Sequence, residues 1–290
     1  MARVKKRKMK NRVSGKAGII ITVVCLVLAV VTAISALYLY GFRYVQYRFQ
    51  EGYSVKFVGI TNKDNSPKSG KISYSGKPEV EGLTGTVNEK DGSITYSNGN
   101  VYKGETKDLI KHGKGTLTFE NGDVYTGAFI ADHMTGECVF TYANGDRYEG
   151  TVTDGIRNGK GKYIYSDGSV YEGDFVNGIR TGEGKYISAD GAVYEGAFKN
   201  GQKHGKGVYT YTNGSVYEGE FAEDLKSGNG SYTYANGETY VGEFRHNTLW
   251  GYGTYTWPDG RVYTGYFEDG VIVRVDKAPV DNGNDAANAQ

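Results

Sequence analysis

The chain has 290 residues and a formal net charge of +1, with 44 glycines and 26 tyrosines against 4 prolines. Glycine and tyrosine stand far above ordinary usage but are regularly spaced, which excludes a low-complexity polymer. The two cysteines, Cys25 and Cys138, lie in different segments, which excludes a disulfide framework or a cysteine-based metal site within the chain.

The first sixteen residues carry eight bases and no acid, leaving 26 bases against 33 acids beyond them. They are expected to form a basic cytoplasmic head (1–16). Ala17 to Tyr40 follows as 24 residues without a charge, about 36 Å as a helix, enough to cross a bilayer core of about 30 Å with some tilt. The bases before this span outnumber Arg43, Arg48 and Lys56 after it. That bias predicts a single-pass protein of the cell membrane, with its N-terminus cytoplasmic and its body outside. Tyr38, Tyr40, Phe42, Tyr44 and Tyr47 would form an interfacial aromatic belt on exit. Secretion after signal cleavage is the alternative, at Val31-Thr32-Ala33 or Ala33-Ile34-Ser35; the apolar stretch exceeds a usual signal core, which favours an uncleaved anchor.

Residues 41–69 read as a polar and aromatic juxtamembrane stalk without a clear period. Residues 70–99 read as a degenerate capping repeat carrying Tyr74-Ser75-Gly76 and Ser93-Ile94-Thr95-Tyr96, since terminal repeats of a stack are atypical. From 100 to 275 a tyrosine returns every 23 residues, each followed two residues later by glycine. The pairs are Tyr102 and Gly104, Tyr125 and Gly127, Tyr148 and Gly150, Tyr171 and Gly173, Tyr194 and Gly196, Tyr217 and Gly219, Tyr240 and Gly242, and Tyr263 and Gly265. A period without drift means one small unit stacked on itself. Residues 276–290 are polar and free of aromatics, and are expected to be disordered.

Within one unit, two alternating runs flank Asn213-Gly214. An Asn-Gly or Asp-Gly pair recurs at this place from Asn98-Gly99 to Asp259-Gly260, which predicts a two-residue type I′ hairpin turn with positive φ at both positions. Alternation puts Gly205, Gly207, Tyr209, Tyr211, Tyr217, Gly219 and Phe221 on one face, and Lys206, Val208, Glu218 and Glu220 on the other. Stacking then aligns Phe129, Phe175, Phe198, Phe221, Phe244 and Phe267 in one column, and Phe140, Tyr163, Tyr186, Tyr209, Tyr232 and Tyr255 in another. The expected fold is all-β: an elongated antiparallel β-hairpin solenoid of 23-residue repeats after one N-terminal transmembrane helix.

The pattern Tyr171-Glu172-Gly173-Asp174-Phe175, followed by Gly182-Glu183-Gly184-Lys185-Tyr186, closely resembles the MORN repeat (membrane occupation and recognition nexus). The resemblance covers about Gly70 to Gly270. Its departures are Cys138 for a glycine, Val152 for a phenylalanine and Ser188 for a column aromatic. It implies a solenoid used for protein contacts, self-association or attachment to membranes. The repeats are also similar to those of plant-type phosphatidylinositol phosphate kinases, but no segment outside the array is long enough for a kinase domain, so a lipid kinase is rejected. The basic head, span and repeats look more like bacterial membrane-anchored MORN proteins.

Local chemistry points the same way. Pairs such as Gly159-Lys160-Gly161 recur in every hairpin and open no helix, so they are structural and cradle no phosphate or other cofactor. His112, His133, His204 and His246 are scattered without metal spacing. Glu149, Glu172, Glu195 and Glu218 form an acidic ladder spaced about 10 Å apart, too wide for one Ca²⁺ site. A solvated face is its plain use, a basic partner the functional one, and the column Lys114, Glu137, Lys160, Glu183 and Lys206 would neutralise part of it. Trp250 and Trp257 are the rings expected to be most exposed. No catalytic set emerges. The expectation is a non-enzymatic binding or scaffold protein of the cell envelope that contacts proteins or itself and takes no nucleic acid; the alternative is direct binding of lipid headgroups or envelope carbohydrate through the aromatic face.

Overall fold

The computed structural model describes residues 15–63, 66–78 and 80–273. The basic residues from Arg3 to Arg12 and the tail 276–290 lie outside the described residues. The chain divides between Asn98 and Gly99 into two compact units.

The first unit opens with α1 (Gly15–Leu39). Its stretch Thr22–Leu39 has a mean hydropathy of 2.5 with none of it buried, long and apolar enough to cross a membrane. The chain leaves the helix through Gly41, whose φ of +84° suits a residue without a β-carbon. Arg43 fastens this exit: its Nη1 donates to the Tyr38 carbonyl at 2.7 Å and its guanidinium lies 3.8 Å over the Tyr38 ring. Five strands follow, β1 (Phe42–Arg48), β2 (Ser54–Thr61), β3 (Pro67–Ser75), β4 (Thr84–Val87) and β5 (Ile94–Tyr96), each antiparallel to the next. Strands thus run through the segment read as an aperiodic stalk. They form because Val55 and Phe57 alternate with the outward-facing Lys56 and Val58 and are buried with Ile72 and Tyr74.

The second unit alternates strands of seven and nine residues. The seven-residue strands that begin its repeats are β6 (Val101–Lys107), β8 (Val124–Ile130), β10 (Arg147–Thr153), β12 (Val170–Val176), β14 (Val193–Lys199), β16 (Val216–Ala222), β18 (Thr239–Arg245) and β20 (Val262–Glu268). Between them run β7 (Ile110–Thr118), β9 (His133–Thr141), β11 (Ile156–Ile164), β13 (Ile179–Ile187), β15 (Gln202–Thr210), β17 (Leu225–Thr233) and β19 (Thr248–Thr256), and the short β21 (Val271–Ile272) closes the series. All neighbours are antiparallel, in the succession expected of a hairpin solenoid.

The Asn-Gly turns are not of the expected type. At Asn213-Gly214 only the glycine has positive φ, +86°, while the Gly214 amide donates to the Tyr211 carbonyl at 3.0 Å and the Tyr211 amide to the Ser215 carbonyl at 2.8 Å. This is a β-turn followed by a left-handed glycine, the three-residue hairpin loop, and not type I′. Pairs with positive φ at both positions lie at the opposite end of the strands, among them Ala131-Asp132 (+50°, +70°), Asn177-Gly178 (+49°, +81°) and Glu223-Asp224 (+51°, +69°). They are the type I′ turns, and they join β8 to β9, β12 to β13 and β16 to β17.

The tyrosine–glycine signature has one geometric cause. Tyr171 folds back over Gly173, and its hydroxyl donates to the Asp174 carbonyl at 3.1 Å. A β-carbon at Gly173 would sit 2.5 Å from that hydroxyl, and one at the facing Gly184 would sit 2.8 Å from the ring. The register slips between Gly173 and Asp174, and Gly182 takes up the extra length with φ +63°. Each glycine of the motif therefore has its own duty: beneath the hydroxyl, in the bulge, and beneath the ring. The same hydroxyl bond recurs from Tyr125 to Ala128 and Tyr194 to Ala197 at 2.8 Å, and from Tyr240 to Glu243 at 3.0 Å. Tyr102 to Tyr240 are at most 1% exposed, with phenylalanines such as Phe175 and Phe198 edge-on to them at 5.0 to 5.2 Å. Tyr263, in the last repeat, is half-buried.

Candidate functional site

Each repeat presents two faces, and the first belongs to the buried rings. Over them runs a column at the 23-residue period: Lys111, Met134, Arg157, Arg180, Lys203, Lys226 and Leu249. Arg180 lies 5.4 Å from the Tyr171 ring centre and 5.5 Å from that of Phe198; Lys226 lies 4.5 Å from that of Tyr232. The column also fastens one repeat to the next. The Gly178 and Gly201 amides donate to the Arg157 and Arg180 carbonyls at 2.8 and 3.0 Å, and the guanidiniums return bonds to the Gly178 and Gly201 carbonyls at 3.1 and 2.6 Å. Where the turn carries a carboxylate the column carries lysine: Lys111 pairs with Asp132 at 2.6 Å and Lys203 with Asp224 at 3.8 Å. A face whose main rings are buried beneath cations is a core, which leaves those rings unavailable for the alternative of binding through the aromatic face. Its outer ring column stays half-buried, with Tyr232 and Tyr234 only 4.4 Å apart.

Burial raises the ring hydroxyls, those of Tyr125, Tyr148 and Tyr171 to about 12. Cys138, which takes the place of a ring-facing glycine, is buried and its thiol is pushed up to about 11, so it is an inert packing residue.

The second face is polar and hollow. A groove of about 1050 Å³ holds Glu149, Glu172 and Glu195, and a second hollow of about 800 Å³ takes in Glu195 and Glu218. Glycine backbone, including Gly173, Gly184 and Gly196, lines the first. The acids are not a bare ladder. In register across the strands, Glu149 faces Lys162, Lys162 faces Glu172, Glu172 faces Lys185 and Lys185 faces Glu195. The result is five alternating charges about 4.8 Å apart, with Lys185 and Glu195 joined at 2.6 Å. Neutralisation therefore comes from Lys162 and Lys185, whereas Lys160, in the column expected to supply it, turns to Asp174 at 3.3 Å. Beyond Glu195 the alternation stops: Val208 lies between Glu195 and Glu218, and Ser231 faces Glu218 from the other side.

Trp250 and Trp257 are not the exposed rings of this unit. Both are half-buried, with the Arg245 guanidinium 4.8 Å over Trp250 and the Arg261 guanidinium 5.2 Å over Trp257. The exposed aromatic is Tyr252, 54% accessible, which sequence reading missed although it stands where earlier repeats carry Lys160, Glu183 and Lys206. Among the described residues no group of histidine, cysteine, aspartate and glutamate side chains could hold a metal ion.

The MORN repeat profile matches seven consecutive segments, 110–124, 125–147, 148–170, 171–193, 194–216, 217–239 and 240–260, which together span more than half of the chain. The chain belongs to the MORN-repeat family. MORN repeats mark it as a repeat protein with a binding role. No curated protein matches it. Among solved structures, the TCP domain of SAS-4 (dCPAP) from Drosophila melanogaster, in complex with a proline-rich motif of Ana2 (dSTIL), is similar at 16% identity and a TM-score of 0.35, over 54% of this chain and 85% of that one. The wild-type TCP10 domain of Danio rerio CPAP is similar at 14% identity and a TM-score of 0.35, over 78% of this chain and 100% of that one. Likeness at that level carries no argument about the ligands of this MORN array.

Proposed function

We propose that this MORN-repeat chain is a non-enzymatic, membrane-anchored scaffold whose polar groove holds an extended segment of a protein partner at the cell envelope. The observation that carries this reading is the alternating row Glu149, Lys162, Glu172, Lys185 and Glu195 along a groove of about 1050 Å³. A row that is self-neutral rewards a ligand with paired charges of its own and gives little to a polyanion, so a polypeptide fits where nucleic acid does not. Support for the anchor is the unburied helix α1 and the excess of bases that precedes it. On this reading the N-terminus is cytoplasmic and the repeats are extracytoplasmic; a cleaved signal and a secreted array is the alternative. Self-association through the same groove is a second possible use of the row.

A photo-crosslinking residue at Glu172 of the full chain in its native membrane tests the partner. A discrete protein adduct that is lost on reversing Lys162 and Lys185 to glutamate is the expected result. Labelling that the reversal leaves unchanged would exclude the groove. Protease added to intact cells tests the topology, since the proposed orientation requires digestion of the repeats and an intact N-terminal fragment.

A further inference from the structure

The array supplies its own controls, because each position can be compared with its equivalents 23 residues away. At the C-terminal end of the groove several departures fall together. Tyr252 replaces the charged or amide residues Lys114, Glu137, Lys160, Glu183, Lys206 and Asn229, and Tyr266 stands in register opposite it. Neither change serves the repeat fold: the ring of Tyr252 stays 54% exposed, held edge-on to Tyr266 at 5.3 Å. Capping the end of a stack calls for a polar outer surface, not an added exposed ring.

The surroundings of this ring are rich in hydrogen-bonding oxygens. Thr254 and Thr264 face each other two positions along, their exposed hydroxyls 3.0 Å apart. The Glu243 carboxylate lies over Gly251, where a β-carbon would come within 2.5 Å of its Oε2. At the other end of the array Thr116 and Thr126 make the same hydroxyl pair at 3.2 Å, but Lys114 and Ala128 stand where Tyr252 and Tyr266 do. The aromatic addition is therefore local to one end.

We infer that Tyr252, with Tyr266, Thr254, Thr264 and Glu243, forms a stacking site for the pyranose rings of a neutral, β-linked glycan. A pyranose with equatorial substituents has a flat face of C–H bonds that lies on an aromatic ring, and a rim of hydroxyls that donate and accept at its edge. The carboxylate over the adjoining Gly251 and the two hydroxyls two positions along match that rim. A proline-rich peptide, the other ligand that lies on aromatic rings, offers carbonyl acceptors but no N–H at its prolines, so Glu243 would go unmatched. The site is independent of the occupant of the central groove.

The test uses the full chain in nanodiscs. Both of its tryptophans, Trp250 and Trp257, lie in the same repeat as Tyr252, so intrinsic fluorescence reports on this site. Titration with chitohexaose and cellohexaose is expected to shift the emission saturably, with maltohexaose, whose α-links bend the chain, at least tenfold weaker. Tyr252→Ala should weaken binding at least tenfold, Tyr252→Phe should retain it, and Thr254→Val should weaken it several-fold, while thermal melting of the folded variants stays unchanged. Should Tyr252→Ala not fold, the Phe and Val variants carry the comparison. Absence of saturable binding to either β-linked hexamer overturns the proposal, as does binding to which Tyr252→Ala and Thr254→Val are both indifferent.

Discussion

Lys226 donates its backbone amide to Oδ1 of Asn247 at 2.8 Å, the uncharged counterpart of the bond that Lys203 makes to Asp224 at 2.9 Å. The backbone geometry is kept while the counter-ion is lost. The Lys226 ammonium, packed on Tyr232, Tyr217 and Phe244, is pushed down by burial to about 8. An unfolded lysine titrates near 10.4, so between about pH 8 and pH 10 the unfolded chain holds a proton that the folded one has released, and stability rises with pH across that window. Asn247→Asp restores the carboxylate and is expected to raise the Lys226 pKa, stabilise the array at pH 7 by about 0.5–1 kcal/mol after allowing for solvent screening, and flatten this rise. Urea midpoints of both proteins at pH 7 and 9.5 decide it; parallel pH profiles would refute it.

The tyrosines act in the opposite direction. Burial raises Tyr125, Tyr148 and Tyr171 to about 12, above the unfolded value near 10, so their contribution is fully present below about pH 10 and is lost as pH climbs through 12. Phenolate absorbance should therefore appear in a steep step that coincides with loss of β-sheet circular dichroism. Titration of all 26 tyrosines near pH 10 with the sheet intact would contradict the burial of these hydroxyls.

Gly173 lies beneath the Tyr171 hydroxyl, where a β-carbon would come to 2.5 Å. Gly173→Ala is expected to cost about 1–3 kcal/mol as overpacking. The added carbon would also come to 2.8 Å from the Cα of Gly184 on the facing strand, so only the part of the cost owed to the tyrosine should vanish in a Tyr171→Ala background, and a double-mutant cycle by chemical denaturation measures that coupling.

Ala131 holds φ +50° in a type I′ turn without the residue types that favour it. Ala131→Asn is expected to stabilise by about 0.5–1 kcal/mol, seen as a raised urea midpoint at unchanged slope. A lowered midpoint would mean that the turn is not left-handed in solution.

The sequence made the repeat legible because Tyr171, Gly173, Gly182 and Gly184 each answer to a local steric demand that recurs every 23 residues, with Cys138 the exception at the Gly184 position. It misled on the turns. Asn-Gly is compatible with two loop lengths, and the choice between them depends on which carbonyl the glycine amide reaches, a matter of register and not of composition. The true type I′ pairs include Ala131-Asp132 and Glu223-Asp224, which carry no glycine to announce them. The cation column from Lys111 to Lys226 was legible at the same 23-residue period, but lysine and arginine read as solvated until their packing on rings is seen. Glu172 was legible as a ladder member; its neutralisation by Lys162 and Lys185 depends on strand pairing. Tyr252 was hidden by the abundance of tyrosine, since its face and not its type sets it apart.

The bond from each inter-repeat turn to the carbonyl 21 residues before it, as from Gly201 to Arg180, points toward the N-terminus every time. Each repeat thereby gains a fastening to the row before it, and its own tyrosine ring is covered when the phenylalanine of the next row arrives, as Phe198 covers Tyr171. A chain that emerges N-terminus first can lay down its rows one at a time, each on the row before it. Growth of such an array by duplication would add a row without disturbing the rows before it.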